Sequence, residues 1–131
     1  MNNIFNEPFF NQNNEFDDEK SSYPIIHNNS SLDINQFILL LKGIYDPEIS
    51  YSIYDLGLIY GIAIDAIERE IIITMTLTSA NCPEANSLPL IVKNTISEYY
   101  HEYKVEVNVT FEPEWTIDNM TDEVKLGLNL L

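Results

Sequence analysis

Cys82 is the only cysteine of the chain. It stands on the run-out of a β-branched stretch, Met75-Thr-Leu-Thr-Ser-Ala-Asn-Cys82-Pro83-Glu84. A lone thiol can ligate a metal or cluster, carry a transferred group or attack as a nucleophile, and in each case the thiolate is the active form. With Pro83 as the first helical residue, Cys82 would be the N-cap. There, unpaired N–H groups and the helix dipole favour the thiolate. The plain alternative is a small buried hydrophobe. One cysteine allows no internal disulfide, in keeping with a reducing compartment. The other residues able to assist such a thiol are the carboxylates Asp55, Asp46 and Glu48 and the hydroxyls Thr76 and Thr78, with Trp115 as an aromatic neighbour.

The elements that must position these residues follow from apolar periodicity. Asp33 followed by Gln36 resembles a capping box, Ile34, Phe37, Ile38 and Leu41 share a helical face, and Gly43 supplies a stop. Alternation predicts strands over 58–65, 70–78 and 104–111, the first two joined by a hairpin loop at Asp65 to Arg69. Between the second and third lies a helix over about 83–100, with Leu88, Ile91, Val92, Thr95 and Tyr99 on one face. Pro89 either kinks it or marks a regular start near Ser87, and the later start weakens the dipole effect on Cys82. Thr121 to Leu128 is a short final helix. The fold class is therefore α+β: a two-layer domain with a three-stranded mixed sheet, in the order α-β-β-α-β-α. The pairing of the last strand is open. Residues 1–30, with eight asparagines and the acidic cluster Glu15, Asp17, Asp18 and Glu19, read as a flexible tail, and residues 31–131 as the domain. Phe5, Phe9, Phe10 and Phe16 are unusual in such a tail.

A hairpin turn centred near residues 67 and 68 sets Leu58 opposite Leu77 and Gly57 opposite Thr78. A crossover helix then makes the last strand run parallel to 70–78 and finish at the same end. Asp55, with Asp46 and Glu48 just upstream, the group of Thr76, Thr78 and Cys82, and Trp115 thus meet at one rim of the sheet. Taken singly, Asp55 could cap the Leu56-Gly57 turn, Asp46 and Glu48 be solvated, the threonines fill a strand face and Trp115 lid the core.

Composition narrows the partners. Twenty-one acids against six bases give a net charge of −15, which disfavours nucleic acid and anionic membranes. No apolar run approaches a membrane span of roughly 18 residues. The N-terminus lacks the basic start of a signal peptide, so a cytoplasmic protein is expected.

Asp46-Pro-Glu-Ile49, Ile53-Tyr-Asp-Leu-Gly-Leu-Ile-Tyr60, Met75-Thr-Leu-Thr78, Asn81-Cys-Pro83, Ser87-Leu-Pro89 and Pro113-x-Trp115 followed by Met120-Thr-Asp-Glu123, in this order, resemble the SufT-like iron-sulfur cluster assembly family. That family includes the phenylacetate-degradation protein PaaD and the eukaryotic cytosolic iron-sulfur targeting component. The resemblance spans about residues 33–131. It implies a small α+β domain that helps mature or deliver iron-sulfur clusters, with Cys82 as the functional residue and Asp55 beside it, and it implies no catalytic reaction. The chain departs from the pattern at Glu114, where a second proline is common, and its asparagine-rich tail has no counterpart.

The leading expectation is a non-enzymatic assembly or delivery factor acting with iron-sulfur assembly proteins and client apoproteins. A stable cluster takes about four protein ligands, so an iron-sulfur cluster or iron on Cys82 is shared across a homodimer or a partner, or held only in passing. The alternative is an acidic adaptor of the assembly machinery in which Cys82 is structural. A cysteine-nucleophile enzyme lacks a base, because His101 falls at the far end of the sheet and His27 in the tail.

Overall fold

The computed structural model describes residues 23–78 and 87–130. Its elements are β1 (Ile25–Asn29), α1 (Ile34–Lys42), β2 (Ile59–Asp65), β3 (Glu70–Met75), α2 (Leu88–Tyr99), β4 (Lys104–Val109), a 3-10 turn (Ile117–Asn119) and α3 (Asp122–Gly127). The sheet runs in the order β1-β2-β3-β4, with an antiparallel centre and a parallel pair on each side. Two β-α-β units are thus joined by one hairpin, and the last strand pairs with β3.

The α+β class stands, but the sheet has four strands rather than the three expected, and the order is β-α-β-β-α-β-α. The missed strand, β1, lies in the stretch read as tail. Only two of its five residues, Ile25 and Ile26, are apolar, and all five are exposed, so no alternation betrays it. Its backbone pairs with the otherwise open edge of β2, a demand that sequence periodicity does not record. His27 accordingly sits on a strand, opposite Ala63. The tail phenylalanines lie outside the described residues.

The hairpin keeps the expected constant sum from Asp65↔Glu70 to Gly61↔Thr74 and then slips by one at a bulge between Ile59 and Gly61. As a result Leu58 O accepts from Thr76 N at 2.8 Å, so Leu58 faces Thr76 instead of Leu77. β4 runs parallel to β3 and ends beside Met75, as the crossover requires.

Both long helices pack on one face of the sheet. Asp33 caps α1 by accepting from Asn35 N at 2.9 Å, and Gly43 closes it by donating its N–H to Leu39 and Leu40 carbonyls. Ser87 is the N-cap of α2, which places Pro89 in the first turn, where its missing N–H costs nothing. Cys82 is therefore not the cap of this helix. Leu88, Val92 and Ile96 are the buried stripe, at spacing four, whereas Ile91 and Tyr99 are exposed, so the face is rotated from the one expected. These residues and Phe37 and Leu41 of α1 close over Ile62, Ile64, Ile71, Ile73 and Met75, all essentially inaccessible. Each such side chain contributes on the order of 1.5–3 kcal/mol of burial. Phe37 also stacks on Tyr100 at 5.5 Å between ring centroids, joining the start of α1 to the end of α2. Among the described residues no helix is long and apolar enough to cross a membrane.

Candidate functional site at one rim of the sheet

β2 starts, and β3 and β4 finish, at the same rim, opposite the hairpin. The segment 43–58 that leads into β2 is folded there. Asp46 is 4% exposed, and its Oδ1 accepts from Glu48 N at 2.8 Å and Ile49 N at 3.0 Å. That carboxylate is engaged in shaping its own turn. Glu48, on the same turn, is exposed.

The next turn, through Asp55, is held from outside. Thr121 N donates to Asp55 O at 3.0 Å, Trp115 Nε1 to Leu56 O at 2.8 Å and Asn119 Nδ2 to Gly57 O at 3.5 Å. Three successive carbonyls are thus tied to the C-terminal segment. Gly57 makes this approach feasible: its φ is +79°, and a Cβ there would lie 2.3 Å from the Asn119 carbonyl oxygen. The Asp55 side chain, half-buried, is displayed on a turn whose backbone cannot drift. Burial pushes the Tyr54 phenol up, and the Asp55 charge beside it adds to the effect.

Thr76 is fully buried, and among the described residues its Oγ1 finds no hydrogen-bond partner. Thr78, half-buried, is the last described residue before Ser87. Cys82 falls between these two and lies outside the described residues, so the structure brackets it without placing its thiol. Trp115 is half-buried, packs against the core and points its N–H inward, which makes it part of the clamp as well as of the rim. Asp55, Thr76, Thr78 and Trp115 therefore share one end of the sheet, while His101 stands beyond α2 at the other. Among the described residues no three His, Cys, Asp or Glu side chains converge to hold a metal.

Residues 38–109, more than half of the chain, match the family model described as iron-sulfur cluster assembly protein. The chain belongs to that family. It is 39% identical over 105 residues, 79% of this chain and 99% of the relative, to a protein of Porphyromonas gingivalis named Fe-S protein maturation auxiliary factor. It is 34% identical over 87 residues, 66% of this chain and 98% of the relative, to the Fe-S protein maturation auxiliary factor SufT of Staphylococcus aureus. Among solved structures, a domain of unknown function from Bacillus anthracis superposes with a TM-score of 0.66 at 34% identity, covering 74% of this chain and 92% of that one. Asp46, Asp55, Thr76, Thr78 and Cys82 fall inside the span matched by the iron-sulfur cluster assembly model, and Trp115 falls beyond it.

In this member of the iron-sulfur cluster assembly family, sequence reasoning missed Tyr60 and Asn119. Tyr60, 5% exposed, sits at the bulge, donates to Pro113 O at 2.9 Å and accepts from Asn119 Nδ2 at 3.4 Å. Burial pushes its phenol up, opposed by the Asn119 bond and by the nearby Thr76 hydroxyl, which is felt electrostatically but lies outside good hydrogen-bond geometry. Gly61, a glycine inside a strand pattern, was the available signal of a bulge.

Proposed function

We propose that this protein is a non-catalytic factor in the cytoplasmic maturation of iron-sulfur proteins, passing a cluster or iron to client apoproteins with Cys82 as thiolate ligand or transfer group and Asp55 beside it. The observation that carries the reading is the triple clamp on the carbonyls of Asp55, Leu56 and Gly57 at the rim where Thr76 to Thr78 lead into the cysteine-bearing segment. A backbone held by distant residues suits a site whose ligand geometry must be kept. Family membership and the names of the bacterial relatives support the same reading. One thiolate per chain is too few for a stable cluster, so the cargo is held in passing or shared with a second copy or a partner.

The test is anaerobic reconstitution with ferrous iron and sulfide, followed by visible absorbance and native mass, for wild type, Cys82→Ala and Asp55→Asn. The expected result is a chromophore in wild type, absent from Cys82→Ala and weakened in Asp55→Asn, with all three equally folded. A chromophore undiminished in Cys82→Ala overturns the assignment. Absence of a chromophore in every variant, with client maturation normal in cells carrying Cys82→Ala, would leave the acidic adaptor reading in its place.

A further inference from the structure

Among the described residues the two long helices cover one face of the sheet, and the opposite face carries an open trough of about 320 Å³. Its floor is Gly61, Ala63, Ile72 and Thr74 from the two central strands, and its walls include Ile25, Tyr23 and Pro113. Small residues on β2 create the depression, and Ile25, 54% exposed, lies open on its edge. The charged positions on this face are unequal in sign. Alternation along the strands puts Asp65, Glu70, Glu106 and Lys104 on the same side as Ala63 and Ile72, and Glu112 lines the trough itself. Glu112 and His27 thus line the trough and Glu106 stands beside Ile72 of its floor, while Asp65, Glu70 and Lys104 lie farther along the same face at the hairpin end, on a chain of net charge −15.

We propose that this trough docks an extended cationic segment of a partner protein, one apolar side chain seated over Gly61 and Ala63 and flanking Lys or Arg side chains facing Glu106 and Glu112. Charge complementarity selects this occupant over two nearer ones. The chain's own residues 1–22 contain aromatic anchors but five acids against one base, and a second copy would bring an equally acidic face. The position also suits the proposed delivery role, on which the partner's identity as a client or assembly protein rests. Tyr60 borders the trough and is bonded to Pro113 and Asn119, and Asn119 in turn holds Gly57. A segment seated in the trough is therefore held beside the rim.

The experiment is methyl and amide NMR titration of the full chain, without iron or sulfide, with three synthetic peptides of equal length. One has a single Phe flanked by Lys and Arg, the second the same Phe flanked by Glu, and the third Ala in place of Phe. The cationic Phe peptide is expected to shift Ile25, Ala63, Ile72 and Thr74 selectively. Raising the salt about tenfold should weaken it by roughly fivefold or more. The Glu-flanked and Ala peptides should each bind about tenfold more weakly. Ala63→Gln should fill the trough and cost about tenfold, and the surface variant Glu106→Gln/Glu112→Gln about threefold. Equal binding of the Glu-flanked peptide, shifts centred elsewhere, or no binding would overturn the proposal. So would movement of the same four signals in Phe9→Ser/Phe10→Ser, which would make the chain's own N-terminal segment the occupant, or on dilution, which would make it a second copy. Because no cargo is present, a negative result leaves the reconstitution outcome untouched, and the reverse holds equally.

Discussion

At the hairpin end the chain turns through Ala66 to Glu68 with Ile67 81% exposed; the Asp65 carboxylate accepts from the Ile67 and Glu68 N–H groups, and the neighbouring strands add only ladder-type bonds, Ala66 N to Asn29 O at 3.0 Å and Lys104 N to Arg69 O at 2.8 Å. The ion pair there, Arg69 with Glu102 at 3.8 Å, joins two largely exposed side chains. At the rim the turn at Asp55 is held by residues about 60 positions away: Thr121, Trp115 and Asn119 each tie down one carbonyl. A turn that serves only connectivity can be satisfied locally. One that displays a side chain in a fixed place needs tertiary restraint, and at the rim that restraint comes from side chains and a segment outside the sheet.

The comparison is broken most severely at Gly57. Gly57→Ala forces a β-carbon against the Asn119 backbone at a positive φ and is expected to destabilise by about 2–4 kcal/mol, read by urea unfolding. A loss under about 0.5 kcal/mol would mean that the clamp is not rigid. Trp115→Phe keeps the ring's packing but orphans the Leu56 carbonyl, with an expected cost of about 1–2 kcal/mol and faster amide exchange confined to residues 53–58. Exchange that rises evenly over the molecule would make Trp115 an ordinary core residue.

Alkaline pH sharpens the same contrast. The Tyr60 phenol, raised above its usual value of 10.0 chiefly by burial, donates to Pro113 and must stay neutral to do so. Its contribution is complete below the unfolded value and is lost as pH rises from about 10 through the folded one. Tyr60→Phe should flatten part of that decline in a series of urea midpoints; an unchanged pH slope would show that Tyr60 does not contribute. Smallest of all, Arg69→Ala at the hairpin should change stability by less than about 0.5 kcal/mol. A larger loss would mean that both ends are equally restrained.

Much of this architecture was legible beforehand because it is written in periods. The alternation at 58–65 and 70–78 and the hairpin between them follow from β-branched residues meeting a helix-covered face, and the core stripe of β2 and β3 agrees with it. Two local misreadings have definite causes. The bulge at Tyr60 moved Leu58 opposite Thr76, because one extra residue on a strand leaves the hydrophobic pattern of its neighbours intact. On α2 the apolar residues Leu88, Ile91, Val92 and Ile96 span a broad arc, and packing on the sheet decided that Leu88, Val92 and Ile96 are the ones buried.

By itself the chain determined the β-hairpin, the crossover helix and the gathering of Asp55, Thr76, Thr78 and Trp115 at one rim, since side-chain period and chain direction are local properties that add up along the sequence. Only the tertiary structure decided that β1 joins the sheet, that Trp115, Asn119 and Thr121 clamp three carbonyls, and that among the described residues no helix covers the second sheet face. Those outcomes depend on which unpaired N–H, C=O and apolar surfaces remain after the local elements have formed. That remainder belongs to the assembled fold and has no period in the sequence.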